Sequence, residues 1–279
     1  MSSCVAFDAR PKCGRCVWSY REVSEEVDTT GGSEGHRRTI FMTALETHTT
    51  DAHPGNSALL RILHLGSPAL PVGAYAYSQG LEYAIDSGAL QTMEDVRAWV
   101  SDALVCGLGE FELPILARLI QAFSREDEEA VRHWNEEYVA GLDTSESVLE
   151  SRQMAYSLLE LAKALDWGCL SRVSAIPGAT PLALVTVYAA VIDDARLSMR
   201  EALTTFAWSW VENQITAAVK AIPAGQMAGQ RALLAVAAEI PKTIERAIAV
   251  DNEGITNVNF GLAIARCQHE SMYARLFRS

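Results

Sequence analysis

The chain has 279 residues, of which 49% are hydrophobic, and it carries a formal net charge of −12 with a pI near 5.0. This apolar content is enough for a large buried core, whereas the acidic balance argues against nucleic-acid binding, which requires clustered lysine and arginine. The longest apolar run, residues 182–192, is far shorter than the roughly 20 residues of a membrane span, so we expect no membrane partner and a cytoplasmic location.

Residues 1–55 mix threonine, glycine, serine, histidine and charged residues without a period, a composition that predicts a disordered or loosely attached leader. The leader contains the single CxxC motif, Cys13 and Cys16, with Cys4 and His36 as conceivable further zinc ligands. A structural zinc site normally needs a second closely spaced pair, so free thiols are the favoured interpretation and metal binding is the alternative.

Residues 56–270 are predicted to form one all-α domain, a bundle of roughly ten helices, because apolar residues recur at helical spacing and the connections are short. No stretch shows the alternation of a β-strand. After a first helix, the segment 67–73 contains two prolines and a glycine and predicts a sharp turn, which we call the proline loop. The next helix is predicted over 77–87, with Gly88 as its terminating glycine.

Further helix starts are predicted from capping residues and from prolines in a first turn. These starts are placed at Thr92 with Asp95, Pro114, Ser124, Thr144 or Ser145, Thr180 with Pro181, and Ser198 with Glu201. The helix that begins after Ser198 is predicted to run to about Lys220, where Pro223 and Gly225 break the pattern. Three more helices are predicted over 226–238, 241–250 and 259–269.

The stretch that follows the proline loop crowds Tyr75, Ser78, Gln79 and Glu82 into a short segment. Such a segment predicts either a surface for contact with another molecule or a polar plug in the core. Ser78 stands in a sequence that superficially matches a nucleophile elbow, but position 76 is alanine and no strand precedes it, so a hydrolase is not favoured.

A second polar segment interrupts an apolar helix with Glu212, Asn213 and Gln214, and Lys220 follows on the same helix. Two interpretations remain open at this point. One is a buried polar network that fixes helix register, in which each carboxamide must be hydrogen-bonded. The other is a face shared with a partner.

The third segment closes the chain, with His269 and Glu270 at the end of the last helix and a tail over 271–279. One interpretation of His269 is a solvated histidine at a helix end, stabilised by the helix dipole. The tail carries Tyr273, Arg275 and Phe277, and aromatic residues beside arginine are typical of interface hot spots. A tail that stays disordered until it is bound is the alternative.

No phosphate-binding loop and no histidine pair at metal-binding spacing occurs in the sequence, so nucleotide chemistry would require a partner. Together, the segments 67–82, 212–226 and 269–279 resemble the UreF family of urease accessory proteins. The resemblance spans residues 57–279 in the family's order. It implies an all-helical homodimeric scaffold that is not an enzyme and has no cofactor of its own.

The resemblance further implies that the chain bridges the UreD accessory protein, also called UreH, and the UreG GTPase, for GTP-dependent delivery of nickel to apo-urease. It implies a role in gating or stimulating the GTPase, a docking role of Tyr75 and Arg275 toward UreG, and ordering of the tail when UreD binds. The alternative function is a metallochaperone that binds nickel directly. The predicted partner-binding residues are Tyr75, Ser78, Gln79, Glu82, Glu212, Gln214, Lys220, His269, Glu270, Tyr273, Arg275 and Phe277, and no catalytic or metal-binding residue is predicted.

Overall fold

The computed structural model describes residues 54–176 and 181–279, and these residues form helices and connecting segments without a strand. The all-α prediction is therefore confirmed. The predicted leader and its CxxC motif lie outside the described residues, apart from positions 54 and 55 at the start of the first helix. The helices are α1 Pro54–Leu65, α2 Leu81–Asp86, α3 Met93–Asp102, α4 Leu113–Ser124, α5 Glu128–Ala140, α6 Ser145–Ala164, α7 Cys169–Ala175, α8 Leu184–Ala195, α9 Met199–Ala221, α10 Gln226–Ala237, α11 Ile240–Ala249 and α12 Phe260–His269.

Three of the predicted helix starts are confirmed in the geometry of their caps. Thr92 and Asp95 form a reciprocal capping box at the start of α3, and Ser198 forms the same motif with Glu201 at the start of α9. The side chain of Thr144 accepts a hydrogen bond from the main chain of Ser147 and begins α6. Each cap satisfies main-chain N–H groups that have no partner within the helix.

Other predicted starts were wrong, and each has a local cause. The helix predicted from residue 77 begins at Leu81, because Gln79 and Gly80 adopt left-handed backbone angles that a right-handed helix cannot contain. Ser124 is the last residue of α4, and Asp127 caps α5 instead, by accepting a hydrogen bond from Ala130 N. Helix α8 begins at Leu184 rather than near Pro181, and Thr180 lies outside the described residues. The short helix α7 was not predicted.

Pro114 lies in the first turn of α4, as predicted, but α4 does not follow a loop, because α3 continues through a π-helical segment, Ala103–Glu112, directly into α4. Proline lacks an N–H and normally disrupts a helix by leaving the carbonyl four residues earlier without its donor. Here that carbonyl belongs to Glu110, and it accepts a hydrogen bond of 3.0 Å from the main chain of Thr256. The main-chain N–H of Thr256, in a loop distant in sequence, thus replaces the donor that Pro114 lacks.

Helices α4 and α8 pack against each other in the centre of the bundle. Most side chains of both helices are buried, and α5, α6, α9 and α11 cover them. Replacing a fully buried leucine such as Leu116 or Leu119 by alanine would cost about 2–5 kcal/mol, which shows how firmly this centre fixes the helices around it. Among the described residues, no helix is long and apolar enough to cross a membrane.

Candidate functional site: a surface built by the proline loop and the tail

The tail lies against the stretch that follows the proline loop. The main-chain oxygen of Ser279 accepts hydrogen bonds from Ser78 Oγ at 2.7 Å, from Gln79 N at 2.9 Å and from Ser78 N. The main chain of Arg278 donates to the carbonyl of Ala76 at 2.7 Å. These two segments are far apart in the sequence, and main-chain hydrogen bonds join them directly.

Gly80 lets α12 approach this pairing closely. Its φ is +86°, a conformation that L side chains rarely adopt. A Cβ atom at this position would lie 2.8 Å from the main-chain nitrogen of Arg266 in α12. Both the backbone angle and the space therefore require glycine here, and the close approach brings the end of α12 to the start of α2.

Glu82 holds the tail through its side chain. It stands in the first turn of α2 and is 7% exposed. Its Oε1 accepts from the main chain of Leu276 at 2.6 Å, and its Oε2 accepts from the main chain of Phe277 at 3.1 Å. Hydrogen bonds to a charged acceptor are stronger than neutral ones, so this carboxylate is a firm anchor for the tail backbone.

His269, the last residue of α12, lies between two carboxylates. Its Nε2 is 3.1 Å from Glu82 Oε2 and its Nδ1 is 3.2 Å from Glu146 Oε2. Each ring nitrogen therefore has a carboxylate oxygen within hydrogen-bonding distance. The interpretation of His269 as a solvated residue at a helix end was wrong, because its side chain is completely buried by these partners and the tail.

Glu146 and Glu270 extend this cluster to the surface. Arg275 Nη1 forms an ion pair with Glu146, while Arg275 Nη2 donates to the carbonyl of Glu270 at 2.6 Å. The Glu270 carboxylate accepts from the main chain of Glu146 at 3.0 Å and from Ser145 Oγ at 2.9 Å, and these bonds lower its pKa. The carboxylate therefore caps the N-terminus of α6, where the helix dipole favours negative charge.

Glu150 connects the tail with the stretch that follows the proline loop and, through Gln79, with α9. It accepts from Gln79 Nε2 and from Ser279 Oγ, both at 2.6 Å. Burial raises the pKa of Glu150, and these two hydrogen bonds oppose the rise. Gln79 Oε1 in turn accepts from Trp210 Nε1 at 2.7 Å, so the second polar segment is tied to the first.

The predicted partner-binding residues divide into a buried and an accessible group. Ser78, Glu82, Gln214, His269 and Phe277 are buried, and their side chains stabilise the fold rather than forming its surface.

The accessible group has its most exposed members in two tyrosines. Tyr75 is 65% exposed and Tyr273 is completely exposed. Gln79 and Glu212 are half-buried, and Glu270 and Arg275 are exposed. Lys220 is also exposed, with its Nζ 5.8 Å from the centre of the Phe277 ring, so the three segments share one region.

Sequence reasoning missed the acidic residues of α6 that complete the cluster. Glu146 and Glu150 are one helical turn apart, a spacing that places both on one face, but nothing local distinguishes them from surface carboxylates. It also missed Arg266, which is 9% exposed and pairs with Asp143 at 3.0 Å. Only the fold brings these groups to the tail.

The geometry of the cluster favours a structural role for Ser78 and His269. Ser78 Oγ donates to the main chain of Ser279, and both nitrogens of His269 are engaged by carboxylates, so these two residues do not form a nucleophile and base pair. Within residues 54–176 and 181–279, no group of three or more histidine, cysteine or acidic side chains is placed to hold a metal ion.

The fold and the cluster define an all-α protein whose polar residues fasten its own tail and leave aromatic and charged side chains on the outside. The model of the UreF family matches residues 90–237. The urease accessory protein UreF of Methylobacillus flagellatus is 46% identical over 225 residues, which cover 80% of this chain and 98% of that protein. The corresponding proteins of Azoarcus sp. and a Janthinobacterium species are 43% and 40% identical, each over 80% or more of this chain and 98% or more of theirs. The chain therefore belongs to the UreF family of urease accessory proteins.

Proposed function

We propose that the chain acts in urease maturation as a scaffold that bridges the UreD/UreH accessory protein and the UreG GTPase. In this role it supports GTP-dependent insertion of nickel into apo-urease and modulates GTP hydrolysis by UreG. The observation that carries the proposal is the arrangement of Tyr75, Tyr273 and Arg275 on a backbone fixed by Glu82 and Ser279. Aromatic and arginine side chains on a preorganised backbone are the usual anchors of protein interfaces.

We assign this surface to two partners. Tyr75 and Arg275 are proposed to contact UreG, and the tail 271–279 that carries Arg275 is proposed to become ordered when UreD binds. The half-buried Glu212 and the exposed Lys220 lie on the helix that adjoins both segments and would extend the contact. The acting form is proposed to be a homodimer in the cytoplasm.

The five buried residues support this surface indirectly. Ser78, Glu82, Gln214, His269 and Phe277 have little exposed area with which to contact a partner in this conformation. A variant of one of these residues would act by releasing the tail or loosening α9. A variant of Tyr75 would act by removing a contact, and this difference can be measured.

Co-purification tests the scaffold directly. We expect the full chain with an N-terminal tag to co-elute with UreD and UreG, and Tyr75→Ala to lose UreG while it keeps its unfolding transition. Truncating such an anchor typically costs about 2 kcal/mol or more of binding free energy. Tyr156→Ala is the matched control, because Tyr156 is a comparably exposed tyrosine on α6. Unchanged capture of UreG by Tyr75→Ala would contradict its assigned role.

Nickel is the cargo of this process, and a direct carrier is the competing function. A scaffold is expected to show at most weak nickel binding when it is isolated, and to restore urease activation only together with UreD and UreG. Equilibrium dialysis of the full chain against nickel separates the two functions. A tight stoichiometric site on the isolated chain would favour the carrier.

A further inference from the structure

A cavity of about 160 Å³ lies beneath the proline loop, between this loop and helices α6, α8 and α9. Protein interiors rarely leave voids larger than a water molecule. An apolar cavity of about 150 Å³ is large enough to hold benzene. Most of the wall is apolar, and its side chains include Leu65, Leu70, Met154, Leu158, Leu184 and Phe206.

Two polar side chains in the wall carry an atom without a hydrogen-bond partner among the described residues. These atoms are Tyr188 Oη and Arg266 Nε, and the two side chains are 5% and 9% exposed. Buried polar groups are almost always hydrogen-bonded, and leaving one unpaired costs free energy. A molecule with an acceptor oxygen in the cavity would satisfy such a donor.

The charges around the cavity favour an uncharged molecule. Glu112, Glu150 and Glu212 line the wall, and the one guanidinium among the described wall residues, Arg266, is already paired with Asp143. An anion would therefore meet carboxylates rather than an available cation in this part of the structure. A cation would lose its hydration against an apolar wall while both oxygens of Glu150 already accept hydrogen bonds.

The backbone near Glu112 is a second unusual feature of this place. Glu112 is the last residue of the π-helical segment Ala103–Glu112, and its carboxylate accepts from Tyr138 Oη at 3.0 Å. Short π-helical segments inside α-helices are frequent at functional sites. The segment places a half-buried carboxyl group at a cavity that the scaffold role does not require.

We propose that this cavity is a binding site for a small uncharged molecule with an apolar body the size of one ring and a carbonyl or hydroxyl oxygen that accepts a hydrogen bond from Tyr188. Tyr75, two residues after the proline loop, lines the same cavity. A molecule bound in the cavity would therefore contact Tyr75, which is part of the proposed docking surface. The cavity itself does not depend on the identity of the partners.

Titration of the full chain with benzamide, benzene and benzoate tests the site. We expect benzamide to bind at one saturable site and benzoate to bind at least about tenfold more weakly, since a charge cannot be accommodated. Tyr188→Phe should weaken benzamide binding about tenfold and leave benzene binding unchanged, because only the hydroxyl is removed. Tyr156→Phe, an exposed tyrosine, is the matched control.

A second measurement does not depend on that variant. Methyl resonances of Met154 and Leu158 should shift saturably with benzamide, and Leu184→Phe, which fills the cavity, should abolish the shift. Absence of saturable binding by benzamide, or shifts confined to surface methyl groups, would overturn the proposal and assign the cavity to ordered water. Benzamide binding that is unaffected by both Tyr188→Phe and Leu184→Phe would overturn it as well.

Discussion

Glu82 and His269 are 187 positions apart in the sequence, yet Glu82 Oε2 and His269 Nε2 lie 3.1 Å apart in the interior of the protein. The same carboxylate accepts from the main chain of Leu276 and Phe277. One residue in the first turn of α2 therefore contacts both the last residue of α12 and the main chain of the tail.

We predict that Glu82→Gln destabilises the protein by about 2 kcal/mol, because His269 then lacks one of its two carboxylate partners and the amides of Leu276 and Phe277 lose a charged acceptor. The same variant should increase hydrogen exchange at the amides of Leu276 and Phe277. Chemical denaturation and amide exchange measure the two effects. Glu253→Gln is the control, because Glu253 is an exposed glutamate in a loop. Unchanged exchange at both amides would show that Glu82 does not hold the tail.

We predict that Arg275→Ala leaves the free energy of unfolding within about 1 kcal/mol of the original value, because its ion pair with Glu146 is partly exposed. The variant should nevertheless abolish urease activation in a nickel-fed strain that lacks the original copy. Arg231→Ala, on the exposed side of α10, should retain activation. Normal activation by Arg275→Ala would remove Arg275 from the docking surface.

Gly80→Ala should destabilise the protein by at least about 3 kcal/mol, since it combines a left-handed backbone angle with a clash against α12. Gly73→Ala separates these causes, because Gly73 has a similar φ of +81° but, among the described residues, no atom within 4 Å of the position that a Cβ would take. Its expected cost is about 1 kcal/mol. Denaturation curves compare the two, and equal losses would mean that the approach of α12 contributes nothing.

Glu112 should make stability depend on pH in a defined direction. Burial raises its pKa above the ordinary value of 4.5, so the folded chain retains a proton that the unfolded chain releases. Its contribution to stability is therefore largest below pH 4.5 and falls as the pH rises through the raised pKa. Glu112→Gln keeps an acceptor for the hydroxyl of Tyr138 and removes the ionisable group. The variant should therefore not lose this stability as the pH rises.

At about pH 8, the free energy of unfolding of the variant is expected to exceed that of the original chain by on the order of 1 kcal/mol. This difference should decrease as the pH falls to the ordinary glutamate pKa of 4.5. Denaturation midpoints across this range provide the measurement, and Glu253→Gln should leave the profile unchanged. A difference that grows as the pH falls would show that Glu112 is stabilised in its charged form.

Local signals in the sequence were enough for much of the fold. Thr92 and Ser198 begin helices because their side chains bond to main-chain groups three residues away, a relationship that the sequence contains completely. The start at Ser124 failed because the capping group is Asp127, three residues further on. The direct continuation of α3 into α4 around Pro114 could not be read locally, because the carbonyl of Glu110 is satisfied by the distant main chain of Thr256. Nothing in the sequence distinguishes the π-helical segment from an ordinary α-helix. The short helix α7 was missed because no side chain caps its start.

The sequence indicated the three segments that meet at the candidate site, but not the residues of other helices that hold them together. Composition and resemblance selected Tyr75, Glu82 and Arg275, and the fold brings their segments together. The burial of His269 could not be foreseen, because it depends on Glu146, which is supplied by another helix. Supporting residues that lie outside the motifs of a site can be identified only from the three-dimensional fold.

The position of Ser279 has a practical consequence for work with this protein. Its side chain is buried, and its main-chain oxygen receives bonds from Ser78 and Gln79, so any peptide fused after it would start from inside packed protein. An affinity tag at that end would compete with the loop for the tail, and could by itself produce the released state that a damaging variant would cause. Placing the tag at the other end, or a label on the exposed face of α10, avoids this artefact.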